Sequence, residues 1–145
     1  MLASVRPHAW DLPLFVHVLG AMILFGGTLA VAAFGWASWH RPQRELLARA
    51  TFRTLLAVVL PAWIVMRIGA QWTQSKEDIS GTPGWIGAGM AVSDAGLVLL
   101  LVAVGLAYWA ARLRGAGWQP RAVAVLSSLY LVALAVAWWV MSTKP

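Results

Sequence analysis

The chain consists of long apolar runs separated by short polar segments. The first run, LPLFVHVLGAMILFGGTLAVAAFGWASW, extends from Leu12 to Trp39 and contains no formally charged residue. At ~1.5 Å of rise per residue, a helix of this length exceeds the ~30 Å hydrocarbon core of a bilayer. Three further runs of similar length follow, so the pattern predicts four transmembrane helices. The predicted helices span residues 12–39, 45–73, 85–112 and 121–141.

The predicted fold class is an all-α membrane protein, a single four-helix transmembrane bundle that covers residues 1–145. The chain is 61% hydrophobic and only 11% charged, which is too apolar for a soluble domain of this length. The segments between the runs are too short for a second domain. Pro61 lies inside the second run, where a residue without an N–H is expected to kink the helix.

The distribution of basic residues predicts the orientation of the bundle. The first and third connections and their flanks hold Arg41, Arg44, Arg49, Arg53, Arg112, Arg114 and Arg121. The opposite side holds only Arg6, Lys76 and Lys144. The positive-inside rule therefore predicts both termini outside and the arginine-rich connections in the cytoplasm, as in a bacterial inner-membrane protein. Every tryptophan except Trp63 falls at one of the two predicted interfaces, as aromatic belts require.

Charge and residue types exclude several function classes. The net charge of +6 would suggest nucleic acid as the partner of a soluble protein. Here membrane orientation accounts for that charge, so we expect a lipid bilayer and no nucleic acid. The chain has no cysteine, which excludes disulfides and thiolate ligands. It also lacks an H-x-x-x-H pair and paired carboxylates, so a hydrolytic zinc site is not expected.

Three ionisable residues lie inside the apolar zone, one on each of the first three helices: His17, Arg67 and Asp94. Helical rise puts them about 7, 9 and 13 Å from the predicted outer ends. A charge at such depth is energetically unfavourable unless it is paired or hydrated, so all three residues are expected to face the bundle interior. We expect Arg67 and Asp94 to lie within hydrogen-bonding reach. The partner of His17 must come from another helix, a water or a cofactor, and Asp94 is nearest by depth.

These residues permit two interpretations. One is a structural ion pair with a packing histidine, and the other is a polar pocket for a cofactor, substrate or proton. Met22, Met66 and Met90 fall at comparable depths. Imidazole with thioether sulfur suits copper(I) or a haem iron, although methionine also simply fills gaps between helices. The candidate cofactor site therefore comprises His17, Arg67, Asp94, Met66 and Met90, with His17 as the metal ligand.

Several short elements occur in order along most of the chain. They are His17-Val18-Leu19-Gly20 with Gly26-Gly27, the stretch from Pro61 to Gly69, Gly84-Trp85, and Lys144-Pro145. In these elements the chain resembles the small four-helix membrane proteins of the HemJ-type protoporphyrinogen oxidase and copper-resistance-protein-D-like group. The resemblance implies a b-type haem held partly by the first-helix histidine, here His17. Those oxidases carry a lysine early in the third helix and a Tyr-His later in it. This chain has Gly89-Met90 and Tyr108-Trp109 there.

Three functional hypotheses follow. The first is a haem b protein with a redox or electron-transfer role, with His17 as an axial ligand and Arg67 near a propionate. The second is a non-catalytic accessory or structural subunit of a larger membrane complex, or a homo-oligomer, since the chain has little extramembrane mass and abundant tryptophan. The third is copper handling through His17 and the methionines.

Overall fold

The computed structural model describes residues 11–39, 43–77, 84–112 and 117–143, which form four long helices and no strand within those ranges. Helix α1 is Asp11–Ala37, α3 is Gly84–Arg112 and α4 is Gln119–Ser142. Helix α2 is continuous through the segments Arg44–Thr54, Leu55–Val59 and Leu60–Glu77. The all-α four-helix prediction is confirmed. Charged residues of the predicted connections such as Arg41, Asp78 and Arg114, and the Lys144-Pro145 element, lie outside the described residues.

All four helices are long and apolar enough to cross a membrane. In the most apolar stretch of each, only 28% of the residues are buried inside the bundle. Because many of the remaining apolar side chains are exposed, the chain is suited to a bilayer rather than to water. The orientation with both termini outside stays a prediction.

The helices form an antiparallel ring. Helix α1 packs against α2 along its length and against α4, while α3 packs against α4 and against the first half of α2. The second half of α2 meets α3 only sparsely. We call the end with Asp11, Glu77, Gly84 and Ser142 the terminal end, and the opposite end the loop end. The α2–α3 interface is therefore closed at the loop end and open toward the terminal end.

Glycines bring the α1 and α2 backbones into direct contact. A Cβ added at Gly20 would lie 2.5 Å from the Met66 nitrogen, and one added at Gly69 would lie 2.5 Å from the His17 nitrogen. Only glycine fits at such a crossing, because the space for a side chain is already filled by the neighbouring backbone. This contact sets the position of His17 against α2. Gly26, in contrast, has no atom within 4 Å of an added Cβ.

Helix α2 accommodates Pro61 through a π turn over Leu55–Val59, in which the Leu60 N–H donates to the Leu55 carbonyl. A proline in an α-helix cannot donate a hydrogen bond, and its ring collides with the carbonyl four residues earlier. The wider turn just before Pro61 relieves that collision, so the helix continues. Such π turns are among the recognised causes of helix bending.

The core extends from mid-depth toward the loop end, and all four helices contribute large apolar side chains that are fully buried. These are Leu24, Val31, Leu55, Val59, Leu100, Val123 and Tyr130.

Candidate functional site

Arg67 and Asp94 form an ion pair, as predicted. The Arg67 Nη2 atom lies 3.0 Å from Asp94 Oδ1. One helical turn before Arg67, the indole N–H of Trp63 donates to the Ser93 carbonyl at 3.1 Å. These two long side chains bridge α2 and α3 where their backbones diverge, so the terminal half of this interface is held by polar contacts.

The ion pair lies at the rim of the bundle, and the expectation that Asp94 faces the interior is wrong. The Asp94 side chain is 61% exposed and the Arg67 side chain only 18%. The buried stripe of α3 follows helical spacing through Ser93, Gly96 and Leu100. Asp94 is rotated about 100° from Ser93 and so leaves that stripe. Its carboxylate nevertheless lies about 15 Å from the start of α3, inside the apolar span.

Small side chains lie before and beside Asp94 on the outward face of α3, and the exposed Val98 follows one turn later. Gly87, Ala91 and Ala95 are all exposed and follow one another at intervals of four residues. An added Cβ at Gly87 would meet no atom within 4 Å. We call Gly87, Ala91, Asp94 and Ala95 the α3 face. The α3 face combines three small residues with one carboxylate.

His17 lies at the α1–α2 interface and is half-buried. Its Nδ1 atom lies 3.0 Å from the main-chain oxygen of Met66. The partner comes from another helix, one of the predicted alternatives, and it is the Met66 carbonyl rather than Asp94, the candidate nearest by depth. Because a carbonyl oxygen can only accept, Nδ1 carries the proton, and in the neutral ring Nε2 holds the free lone pair.

The predicted five-residue site therefore separates into two parts. His17 and Met66 belong to the α1–α2 interface, and Met66 is buried. Arg67 and Asp94 bridge α2 and α3, and the half-buried Met90 lies one turn before Asp94. Among the described residues, no group of three histidine, cysteine, aspartate or glutamate side chains could hold a metal ion. Met22, considered with the sulfur ligands, is turned outward with 68% of its surface exposed.

Three buried hydroxyls belong to no motif of the sequence. Ser93, Ser127 and Tyr130 are buried, and their hydroxyl oxygens have no hydrogen-bond partner among the described residues. The Tyr130 ring fills the space in which a Cβ of Gly96 would lie, which joins α4 to α3. The interval of three residues between Ser127 and Tyr130 gives one shared helix face, but only the packed structure reveals that this face is buried.

Arginines at the loop end are anchored by aromatic rings and a carbonyl. The Arg121 guanidinium lies 4.3 Å from the centre of the Trp39 ring, and that of Arg112 lies 5.0 Å from the centre of the Tyr108 ring. Arg44 donates to the Gly117 carbonyl at 2.7 Å. These contacts keep positive charge at the helix ends, in the layer where lipid headgroups would lie.

Comparison with protein-family models, with curated proteins and with solved structures gives no match for this chain.

Proposed function

We propose that this chain is a small non-catalytic membrane subunit that associates with other transmembrane helices through the α3 face. One observation carries the proposal: the Asp94 carboxylate is 61% exposed within an apolar span. Ionisable side chains inside a membrane almost always face protein or a water-filled cavity. A carboxylate that leaves its own bundle at this depth is therefore suited to another protein.

The remaining hydrogen-bonding capacity of Asp94 supports this role. An ionised carboxylate can accept about four hydrogen bonds. Arg67 occupies Oδ1, and Arg67 itself is largely covered. Lipid tails supply no donor, so a helix that presents one at the depth of Asp94 replaces an unfavourable contact with a hydrogen bond.

The experiment uses the full chain and a synthetic probe in phosphatidylcholine vesicles. The probe is a leucine–alanine transmembrane peptide with a single central lysine, and its control carries leucine there. Energy transfer between labelled protein and probe measures binding. We expect the lysine peptide to bind at least tenfold more tightly than the leucine peptide, and Asp94→Leu to abolish the difference. Equal binding of both peptides would contradict the proposal.

A second candidate function, haem b binding, is favoured by the hydrogen bond of His17. Metal-ligating histidines almost always donate their other ring N–H to a carbonyl or carboxylate, and His17 donates from Nδ1 to the Met66 carbonyl. His17 would hold the iron through Nε2. Bound haem would supply one-electron redox chemistry.

A visible spectrum tests this second candidate. Purified protein titrated with hemin should develop a sharp Soret band, and His17→Ala should lose it. His40→Ala is the matched control, since it removes a histidine that the sequence places in the first predicted connection, far along the chain from His17. A Soret band of equal size in His17→Ala would show that His17 is not a ligand.

A further inference from the structure

We infer that the occupant of the α3 face is a second copy of this chain, in a two-fold dimer whose axis runs along the membrane normal. In this dimer Asp94 of each copy accepts an additional hydrogen bond from Arg67 of the other copy. The inference rests on the proposed role of the α3 face in helix association, and it specifies the partner.

Depth in the bilayer restricts which partner Asp94 can meet. A bilayer fixes how far each residue lies from the surface, so a partner must present its donor at the depth of Asp94. Two copies with the same orientation, related by an axis along the normal, hold every residue at the same depth as its equivalent. Arg67 and Asp94 are within 3.0 Å of each other, so each copy carries a donor and an acceptor in one layer.

The charges at this layer also complement a second copy of the chain. Two copies of a lone aspartate would repel each other across a two-fold axis. Here each carboxylate is accompanied by a guanidinium, which has five N–H donors. Arg67 directs Nη2 to its own Asp94, and 18% of its side chain is exposed. In the dimer, one of the other N–H donors of this guanidinium reaches the carboxylate of the other copy at this exposed edge. Two acids and two arginines can then alternate, with no net charge inside the membrane.

The shape of the α3 face permits the approach that this pairing needs. Gly87, Ala91 and Ala95 are exposed at four-residue intervals beside Asp94. Small residues at this spacing allow two membrane helices to come into backbone contact. The small residues allow the two α3 helices to approach closely. The ion pair sets the register between the two copies and favours an identical partner.

The test is the oligomeric state of the full chain in phosphatidylcholine vesicles. The chain has no native cysteine, so Thr143→Cys provides one labelling position at the terminal end. Single-molecule photobleaching over a range of dilutions should give two-step events. Ala91→Ile, which leaves the ion pair intact, should weaken dimerisation at least tenfold. Ala135→Ile is the matched control, since Ala135 is an equally exposed alanine on α4.

A charge-exchange experiment tests the residues directly. Arg67→Glu copies carry two acids and Asp94→Lys copies carry two cations at this layer. Each variant alone should be monomeric, and a mixture should give energy transfer between the two labelled forms. Circular dichroism establishes that each variant is folded, and Ala91→Ile tests the face without any charge change.

The outcomes separate this inference from the proposed function. A wild-type chain that bleaches in single steps at every dilution overturns the dimer. If it still binds the lysine peptide through Asp94, the α3 face is an association site for a different partner. If the peptide does not bind either, both proposals are wrong. Dimers that tolerate both Ala91→Ile and the charge variants would use another surface, which also overturns the inference.

Discussion

Arg67 and Asp94 are joined across a gap between two helices: Nη2 lies 3.0 Å from Oδ1 where the α2 and α3 backbones scarcely meet. The two partners differ in burial. The Arg67 side chain is 18% exposed and the Asp94 side chain is 61% exposed. Because the arginine charge is more deeply buried, it needs its partner for stabilisation more than the aspartate charge does.

This asymmetry predicts a non-additive mutational cycle. Asp94→Ala leaves a largely buried cation without its partner and should lower the free energy of unfolding by about 1–3 kcal/mol. Arg67→Ala should cost less, and the double variant should cost less than the sum by about 0.5–2 kcal/mol. Unfolding of the variants in one detergent, by thermal or SDS titration, measures these differences.

The exposed pair of Glu45 and Arg49 is the control for this cycle. Its atoms are 3.8 Å apart, with side chains 67% and 62% exposed. Its coupling should stay within about 0.5 kcal/mol, since solvent screens a surface pair. Additive losses at Arg67 and Asp94 would mean that their contact does not stabilise the bundle.

The crossing of α1 and α2 predicts opposite effects for two glycines of the same helix. In Gly20→Ala the new Cβ would lie 2.5 Å from the Met66 nitrogen, so the helices must separate, at a cost of about 1–3 kcal/mol. In Gly26→Ala the Cβ meets nothing within 4 Å, so stability should stay the same or rise by up to about 1 kcal/mol. If both variants lost the same stability in detergent unfolding, the close contact between α1 and α2 would not lie at Gly20.

Removal of the Tyr130 hydroxyl is predicted to be harmless. This buried oxygen has no partner among the described residues, so Tyr130→Phe removes an unmatched polar atom and should leave stability unchanged or raise it by about 1 kcal/mol. The equally buried Thr28 provides the contrast, because its hydroxyl donates to the Leu24 carbonyl at 2.7 Å. Thr28→Val should cost about 0.5–1.5 kcal/mol. A loss above about 1 kcal/mol in Tyr130→Phe would reveal a partner for its hydroxyl.

The orientation of the bundle is predicted from the arginine-rich connections. Lys76→Cys and Arg114→Cys each introduce a single cysteine into a cysteine-free chain. In intact cells an impermeant maleimide should label position 76 and spare position 114, because the terminal end faces outward under the positive-inside rule. Labelling of position 114 alone would show that the bundle has the opposite orientation.

Much of the fold could be predicted because the bilayer imposes it on local sequence. A run of about 20 apolar residues must be helical to satisfy its backbone, and its length is read directly from the chain. The four helices follow from that rule, and so does the location of Arg67 and Asp94 on neighbouring antiparallel helices at similar depth. Their ion pair was predictable for the same reason, since two opposite charges in one layer find each other.

The direction of each side chain could not be read in this way. His17, Arg67 and Asp94 lie at similar depths, and depth alone suggested one cluster. The structure separates them, because rotation around each helix decides the neighbour. The glycine contact at Gly69 holds His17 against α2, where its nearest acceptor is the Met66 carbonyl. Asp94 is turned out of the buried stripe of α3.

Apolar content and a fixed rise per residue predict the number of helices, their approximate lengths and the depth of each polar group. The packing of the four helices decides which faces are buried, because each helix is apolar on nearly every side and carries little amphipathic signal. It also decides that α2 and α3 diverge toward the terminal end, so that Asp94 is exposed at the rim of the bundle.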